Sequence, residues 1–188
     1  MKKKEERTKG RAAESKEVHE SLKGRVCLLG RLLGHDPQVE HGIGERSRVR
    51  LDVIWHPASN PSVITHAFEV QHRGDPKSAL SNLEIIRKHH SGCRTFCVVC
   101  HKREIKDIQR TLVASKVGFV GVLRSSEIDR WVDVLQKQDK PISMVARYRR
   151  QLPKKHTEDD LADLKKRAPK KLAPLIDAVH QMMKAGLL

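Results

Sequence analysis

Four short runs rich in β-branched and aromatic residues, spaced by helical patterns, constrain this chain more than any other feature. They fall at residues 48–55, 63–71, 93–100 and 117–123. The first alternates strictly. Val49, Leu51, Val53 and Trp55 share one face, and Arg50, Asp52 and Ile54 share the other. The second places Ile64, His66, Phe68 and Val70 on one side and Thr65, Ala67, Glu69 and Gln71 on the opposite side. Ahead of them, His19, Leu22, Val26, Leu29 and Leu33 recur at spacings of three and four, so a helix is expected over 13–34 with Gly34 as its stop. A short strand then leads into the turn at Gly42-Ile43-Gly44. Asp75 and Pro76 are an N-cap and a first helical residue, opening a helix that turns Ala79, Leu80, Leu83 and Ile86 inward. Further helices are expected over 102–114 and over 126–136, the latter capped by Ser126. Continuous apolar strands with intervening helices predict an α/β fold with a central mixed sheet covered on both faces.

The 188 residues divide by composition into a basic flexible arm at 1–14, one domain at 15–138 and a basic helical extension at 139–188. Pro141 marks the second boundary. Helices are expected over 159–167 and 172–185 of the extension, the latter with an apolar stripe of Leu172, Leu175, Ile176, Val179, Met182 and Met183 that packs on the core or on a second subunit. The formal net charge is +15. Basic residues exceed acidic ones by seven to four in 1–17, nineteen to thirteen in 18–138 and twelve to six in 139–188. A basic tail alone therefore does not account for the excess, and a polyanionic partner is expected, nucleic acid before an anionic membrane. Only six aromatic residues are present, too few for a platform that stacks unpaired bases. No apolar run is long enough to span a bilayer, and the lysines at 2–4 precede no apolar segment. A cytoplasmic, nucleoid-associated protein is the expectation.

Asp52 lies in the middle of an apolar strand, and Glu69 and Gln71 project from one face of the next. A hairpin would set Asp52 opposite them. Buried carboxylates are costly unless paired or bound to a cation. The alternatives are therefore a pairing with Arg48 or Arg50 and a site for a hard divalent ion.

Leu51-Asp52-Val53-Ile54-Trp55, then Ala67-Phe68-Glu69-Val70-Gln71-His72, then Ala79, Leu80 and Leu83 resemble the PD-(D/E)XK nuclease superfamily. The order of elements over residues 15–125 matches that family's core as well. The resemblance implies a restriction endonuclease-like core and a metal-dependent DNA endonuclease, acting in restriction or in DNA repair and recombination. Asp52 and Glu69 match the motif acids. With the Val70 carbonyl they would hold Mg²⁺, for which Mn²⁺ is a possible substitute. Gln71 stands where the family usually has Lys, as in the acid-x-Gln restriction enzymes of the superfamily. An amide can aim a water but brings no charge. Lys77, Arg87, Lys88, His72, Arg73 and Arg50 are the candidates to supply it. By the same resemblance an acid of the first helix can join the site; Glu20, beside Gly24, is chosen over Glu17, with a solvated surface acid as the alternative. Phosphate contacts are expected from Arg50, Arg73, Lys77 and Lys88 and, in the extension, from Arg147, Arg149, Arg150, Lys154 and Lys155. The partner would be DNA, with RNA as the alternative, and cutting both strands would call for a homodimer. The runner-up is a degenerate nuclease fold that binds DNA or RNA without cutting.

Cys93, Cys97 and Cys100 have the C-x3-C-x2-C spacing of [4Fe–4S] enzymes. Here the spacing falls on a core strand, with Cys93 and Cys97 on one side and Cys100 on the other, so buried thiols are expected in place of a cluster. Cys97, Cys100 and His101 are close, but no paired zinc-finger spacing accompanies them.

Overall fold

The structure, a computed structural model, describes residues 2–43, 49–72, 75–115, 120–152 and 157–188, with side chains from residue 14 onward apart from that of residue 102. Helix α1 (Lys2–Leu32) leads into five strands, β1 (His35–Gly42), β2 (Arg50–Pro57), β3 (His66–Gln71), β4 (Arg94–Val99) and β5 (Val120–Arg124). Helix α2 (Pro76–His89) lies between β3 and β4, and α3 (Lys102–Ala114) between β4 and β5. After β5 come α4 (Ser125–Gln136), α5 (Pro141–Gln151), α6 (Glu158–Arg167), a 3-10 turn (Lys170–Leu172) and α7 (Ala173–Lys184). The sheet order is β1-β2-β3-β4-β5. The first three strands pair antiparallel and the last three parallel, which makes the expected mixed sheet.

The two faces carry two cores. Helices α2 and α3 cover Ile54, Ala67, Cys97 and Val99 on one face. On the other, α1, α4 and the C-terminal helices cover Val53, Trp55, Phe68, Val70, Phe96 and Val98. Trp55, Phe68 and Phe96 run across neighbouring strands there, with ring centroids 4.5 and 5.2 Å apart. Leu22, Val26 and Leu29 of α1 reach the same core, as their spacing predicts. The backbone of α1 is helical from Lys2, so the arm expected at 1–14 joins the first helix instead of standing apart from it.

The extension is built into that core. Val145, Tyr148, Leu152, Leu161, Leu175, Ile176, Val179, Met182 and Leu187 are buried in one cluster with the sheet. Of the two placements open to the stripe at 172–183, the core is the one seen. The chain end is held by the Leu187 carbonyl, 3.2 Å from His66 Nε2, and by Arg94 Nη1, which donates to the Gly186 carbonyl at 2.9 Å. Helix α5 goes beyond the helices that the sequence pattern predicts. Pro141 starts it at its first turn, where a missing N–H costs nothing, and its polar, basic residues hide a short apolar face of Val145 and Tyr148. Helix α4 begins at Ser125, with Glu127 accepting from the Arg124 N–H, so Ser126 sits inside the first turn and is not the cap. Among the described residues no helix is long and apolar enough to cross a membrane.

Helix α1 approaches the sheet at Gly30. A Cβ there would stand 2.7 Å from Nε1 of the fully buried Trp55. Gly30→Ala is expected to cost about 1–3 kcal/mol through overpacking, read as a lower urea midpoint with an unchanged m-value.

Candidate active site

The antiparallel ladder of β2 and β3 pairs Trp55 with His66, Ile54 with Ala67 and Val53 with Phe68, and ends there. One step further, Asp52 stands across from Glu69. The Asp52 side chain takes over the bonding of the strand it leaves, since Oδ2 accepts from the Val70 N–H at 2.7 Å. On the other side of β2 the ladder to β1 is also interrupted. Val39 pairs with Val53 and His41 with Leu51, but Glu40, between them, adopts φ +51°. Among the described residues it is the one non-glycine residue in the left-handed region. Beside this distortion the strict alternation expected of β2 does not hold. Leu51 packs with Ile54 on the α2 face, while Val53 and Trp55 pack on the α1 face.

Glu69 is 7% exposed and accepts from Asn82 Nδ2 of α2 at 3.2 Å. Burial, and then the adjoining Asp52 carboxylate, push its carboxyl up to about 9. Asp52 moves the other way. Burial would raise it, but a hydrogen bond from His19, the Val70 N–H and the charges of His19 and Lys23 together hold it below the ordinary range. Neighbouring acids driven apart in this way share one negative charge at neutral pH.

The side-chain partners of Asp52 among the described residues come from α1, and Arg50 is not one of them. His19 Nε2 lies 3.1 Å from the Val70 carbonyl and 3.4 Å from Asp52 Oδ2. Both neighbours are acceptors, so this nitrogen carries the proton, and its hydrogen bond to Asp52 is the main cause of a raised His19 pKa. Lys23, one turn along, is 3% exposed. Its Nζ is 2.8 Å from Glu20 Oε1 and 3.8 Å from Asp52 Oδ1, and it also pairs with Glu40. Burial works against its charge, and the bonds to Glu20 and Glu40 more than compensate. Glu20 is mostly exposed and meets the site only through Lys23 and His19. His19, Lys23 and Glu40 are the site residues that sequence reasoning missed. The one signal for them is the spacing of His19 and Lys23, four apart on the edge of the apolar stripe of α1.

Gln71 is buried at the end of β3 and lines a cavity of about 360 Å³ with Pro76, Glu104, Asp107, Arg110 and Thr111. Lys77 is exposed on the first turn of α2, near that end of the sheet. Lys88 lies eleven residues further along α2, about 16 Å at 1.5 Å per residue, and pairs with Glu84 at 2.9 Å. It does not join the group. Arg50 is exposed at the start of β2. Arg147, Arg149 and Arg150 are exposed on α5, with Arg147 over the Tyr148 ring. The basic run of α6 is partly neutralised, with Lys165 against Asp177 and Lys166 and Arg167 against Asp163. Arg48, Arg73, Lys154 and Lys155 lie outside the described residues.

Asp52, Glu69 and the Val70 carbonyl offer hard oxygen donors on neighbouring strands, a set suited to Mg²⁺ or Mn²⁺. A cation between the two acids would let both ionise, which burial of Glu69 and then the neighbouring Asp52 charge otherwise oppose. The His19 Nε2–H already lies between the carboxylate and the carbonyl, so both oxygens turn toward one point. Cys93 and Cys97 pack on the α2 face and Cys100 against the opposite core, which leaves the three thiols divided between the faces. Comparison with protein-family models, with curated proteins and with solved structures finds no match.

Proposed function

We propose that this chain is a metal-dependent DNA endonuclease of the PD-(D/E)XK type, in its acid-x-Gln form, built on a restriction endonuclease-like core. The observation that carries the reading is the opposition of Asp52 and Glu69, two largely buried acids, where the β2–β3 ladder ends. These acids and the Val70 carbonyl would hold a Mg²⁺ ion, which when bound would supply an activated water and charge neutralisation at a phosphate. The chain's own residues do the rest. Asp52 and Glu69 would hold the ion and Gln71 would hydrogen-bond and aim the water, while His19, the Val70 N–H and Lys23 together keep Asp52 ionised and in place. Exposed Lys77, Arg50 and the arginines of α5 position the duplex through its phosphates, independently of sequence. The setting would be restriction or DNA repair in the cytoplasm.

Conversion of supercoiled plasmid in Mg²⁺ or Mn²⁺ tests the reading. Nicked or linear product is expected with either ion and none in EDTA.

A second reading has one observation in its favour. His19 and Lys23 already neutralise Asp52, as expected of a nuclease fold that binds DNA or RNA without cutting. That reading predicts salt-sensitive retention of the plasmid with no metal-dependent product, on branched as well as linear substrates.

A further inference from the structure

A different group of donors gathers at the carboxyl ends of β3 and β4, the end of a parallel sheet where open α/β folds bind ligands. The parallel register pairs Gln71 with Val99, so His72 and Cys100 follow side by side on adjacent strands. Helix α3 starts two residues after Cys100 and turns Glu104 back over its own start. There Glu104 Oε2 accepts from the N–H groups of Cys100 at 3.2 Å and His101 at 3.0 Å. One ligand atom each from His72, Cys100 and Glu104 lies within 4.8 Å of the others. All three residues are half-buried.

We propose that His72, Cys100 and Glu104 form a cation site, separate from the Asp52–Glu69 pair, that takes a borderline transition-metal dication of the Zn²⁺ class. An imidazole nitrogen, a thiolate sulfur and a carboxylate oxygen are a donor set for Zn²⁺ or Co²⁺ and a poor one for Mg²⁺. Register and helix cap fix the three backbones before any ion arrives, and small side-chain rotations bring the donors to bonding distance. The His101 ring lies 5.4 Å from that of His72. Glu104 also lines the cavity that it shares with Gln71. The Cys100 thiol, pushed up to about 11 by burial and by Glu104, is protonated in the metal-free protein. Uptake therefore exchanges the S–H bond for a sulfur–metal bond and releases one proton to solvent.

Titration of the EDTA-dialysed full chain with Co²⁺ tests the site without reference to nuclease activity. The expected result is a near-ultraviolet thiolate-to-cobalt charge-transfer band that saturates at one ion per chain, is removed by Zn²⁺ and persists in excess Mg²⁺. Cys27, Cys93 and Cys97 are buried, so the band reports Cys100. It is lost in Cys100→Ser, whose circular dichroism and melting point serve as the folding control. Glu104→Gln keeps an acceptor for the two capping N–H groups. It and His72→Ala are each expected to weaken Co²⁺ binding at least about tenfold, the lower bound for even an outer-shell partner. Absence of the band in the wild type, its persistence in Cys100→Ser, or unchanged affinity in both other variants overturns the proposal.

Discussion

Glu69→Ala is expected to lose metal-dependent plasmid cleavage, by at least about 10²–10³-fold given what single preorganised electrostatic groups contribute in active sites, while still binding duplex DNA. The same residue makes a second, independent mark on the protein. Its carboxyl titrates near 9 in the folded chain against 4.5 in an unfolded one, so between those values the folded state holds the extra proton. The unfolded state therefore binds fewer protons there, and metal-free stability falls as pH rises from about 5 to 9. Asp52, shifted downward, contributes in the opposite sense and only in acid: its share is lost as pH falls below its ordinary value of 3.8. Glu69→Gln keeps a hydrogen-bonding amide in place of the protonated acid and removes the alkaline slope. A tenfold difference in proton affinity between the folded and unfolded chains corresponds to about 1.4 kcal/mol, or about 3 °C of melting temperature in a chain of this size. Thermal melts at pH 5, 7 and 9 in EDTA should show the wild type losing at least that much while Glu69→Gln stays level. Retained cleavage in Glu69→Ala would remove the residue from the reaction.

Lys23→Met is expected to be the most damaging single change on α1. Methionine can fill the apolar path of the lysine stem, but Asp52, Glu20 and Glu40 then face one another without their shared cation. Removing one partner of a fully buried pair costs about 3–5 kcal/mol. Glu20 and Glu40 reach solvent, so a smaller loss of about 2–3 kcal/mol is expected, measured as a lower urea midpoint. Lys23→Arg should recover part of it. The two functional readings separate here as well. If Lys23 positions Asp52 for catalysis, cleavage falls with the lost charge and Arg restores some of it. If Lys23 fills the place of an ion in a fold that only binds, DNA retention is unchanged.

The strand pattern of residues 48–71 makes the central geometry legible from the residues alone. Val53, Trp55, Phe68 and Val70 can only face a core, and that leaves Asp52 and Glu69 at the same level of adjacent strands. What is not legible has physical causes. Glu40 adopts a left-handed backbone conformation that Glu seldom takes, and Leu51 across from that stretch packs on the face opposite the one its alternation predicts. Lys23 and His19 lie on a helix distant in sequence from Asp52, and a charged residue beside an apolar stripe is ordinarily solvated. Helix α5 carries more polar and basic residues than apolar ones facing the core, and only packing against α7 reveals its buried edge. Asp177 of α7 stands against Lys165 of α6, a pairing between two helices that helical spacing does not announce.

The central claim is that Asp52 and Glu69 together form a divalent-cation site, and calorimetric titration with Mn²⁺ at pH 7 in two buffers of different ionisation enthalpy tests it most directly. One ion per chain should bind with release of about one proton, as Glu69 gives up the proton that burial and Asp52 impose on it. Asp52→Asn and Glu69→Gln should each lose the binding and the proton. Wild-type protein that takes up no Mn²⁺, or the same uptake in both variants, would contradict the account.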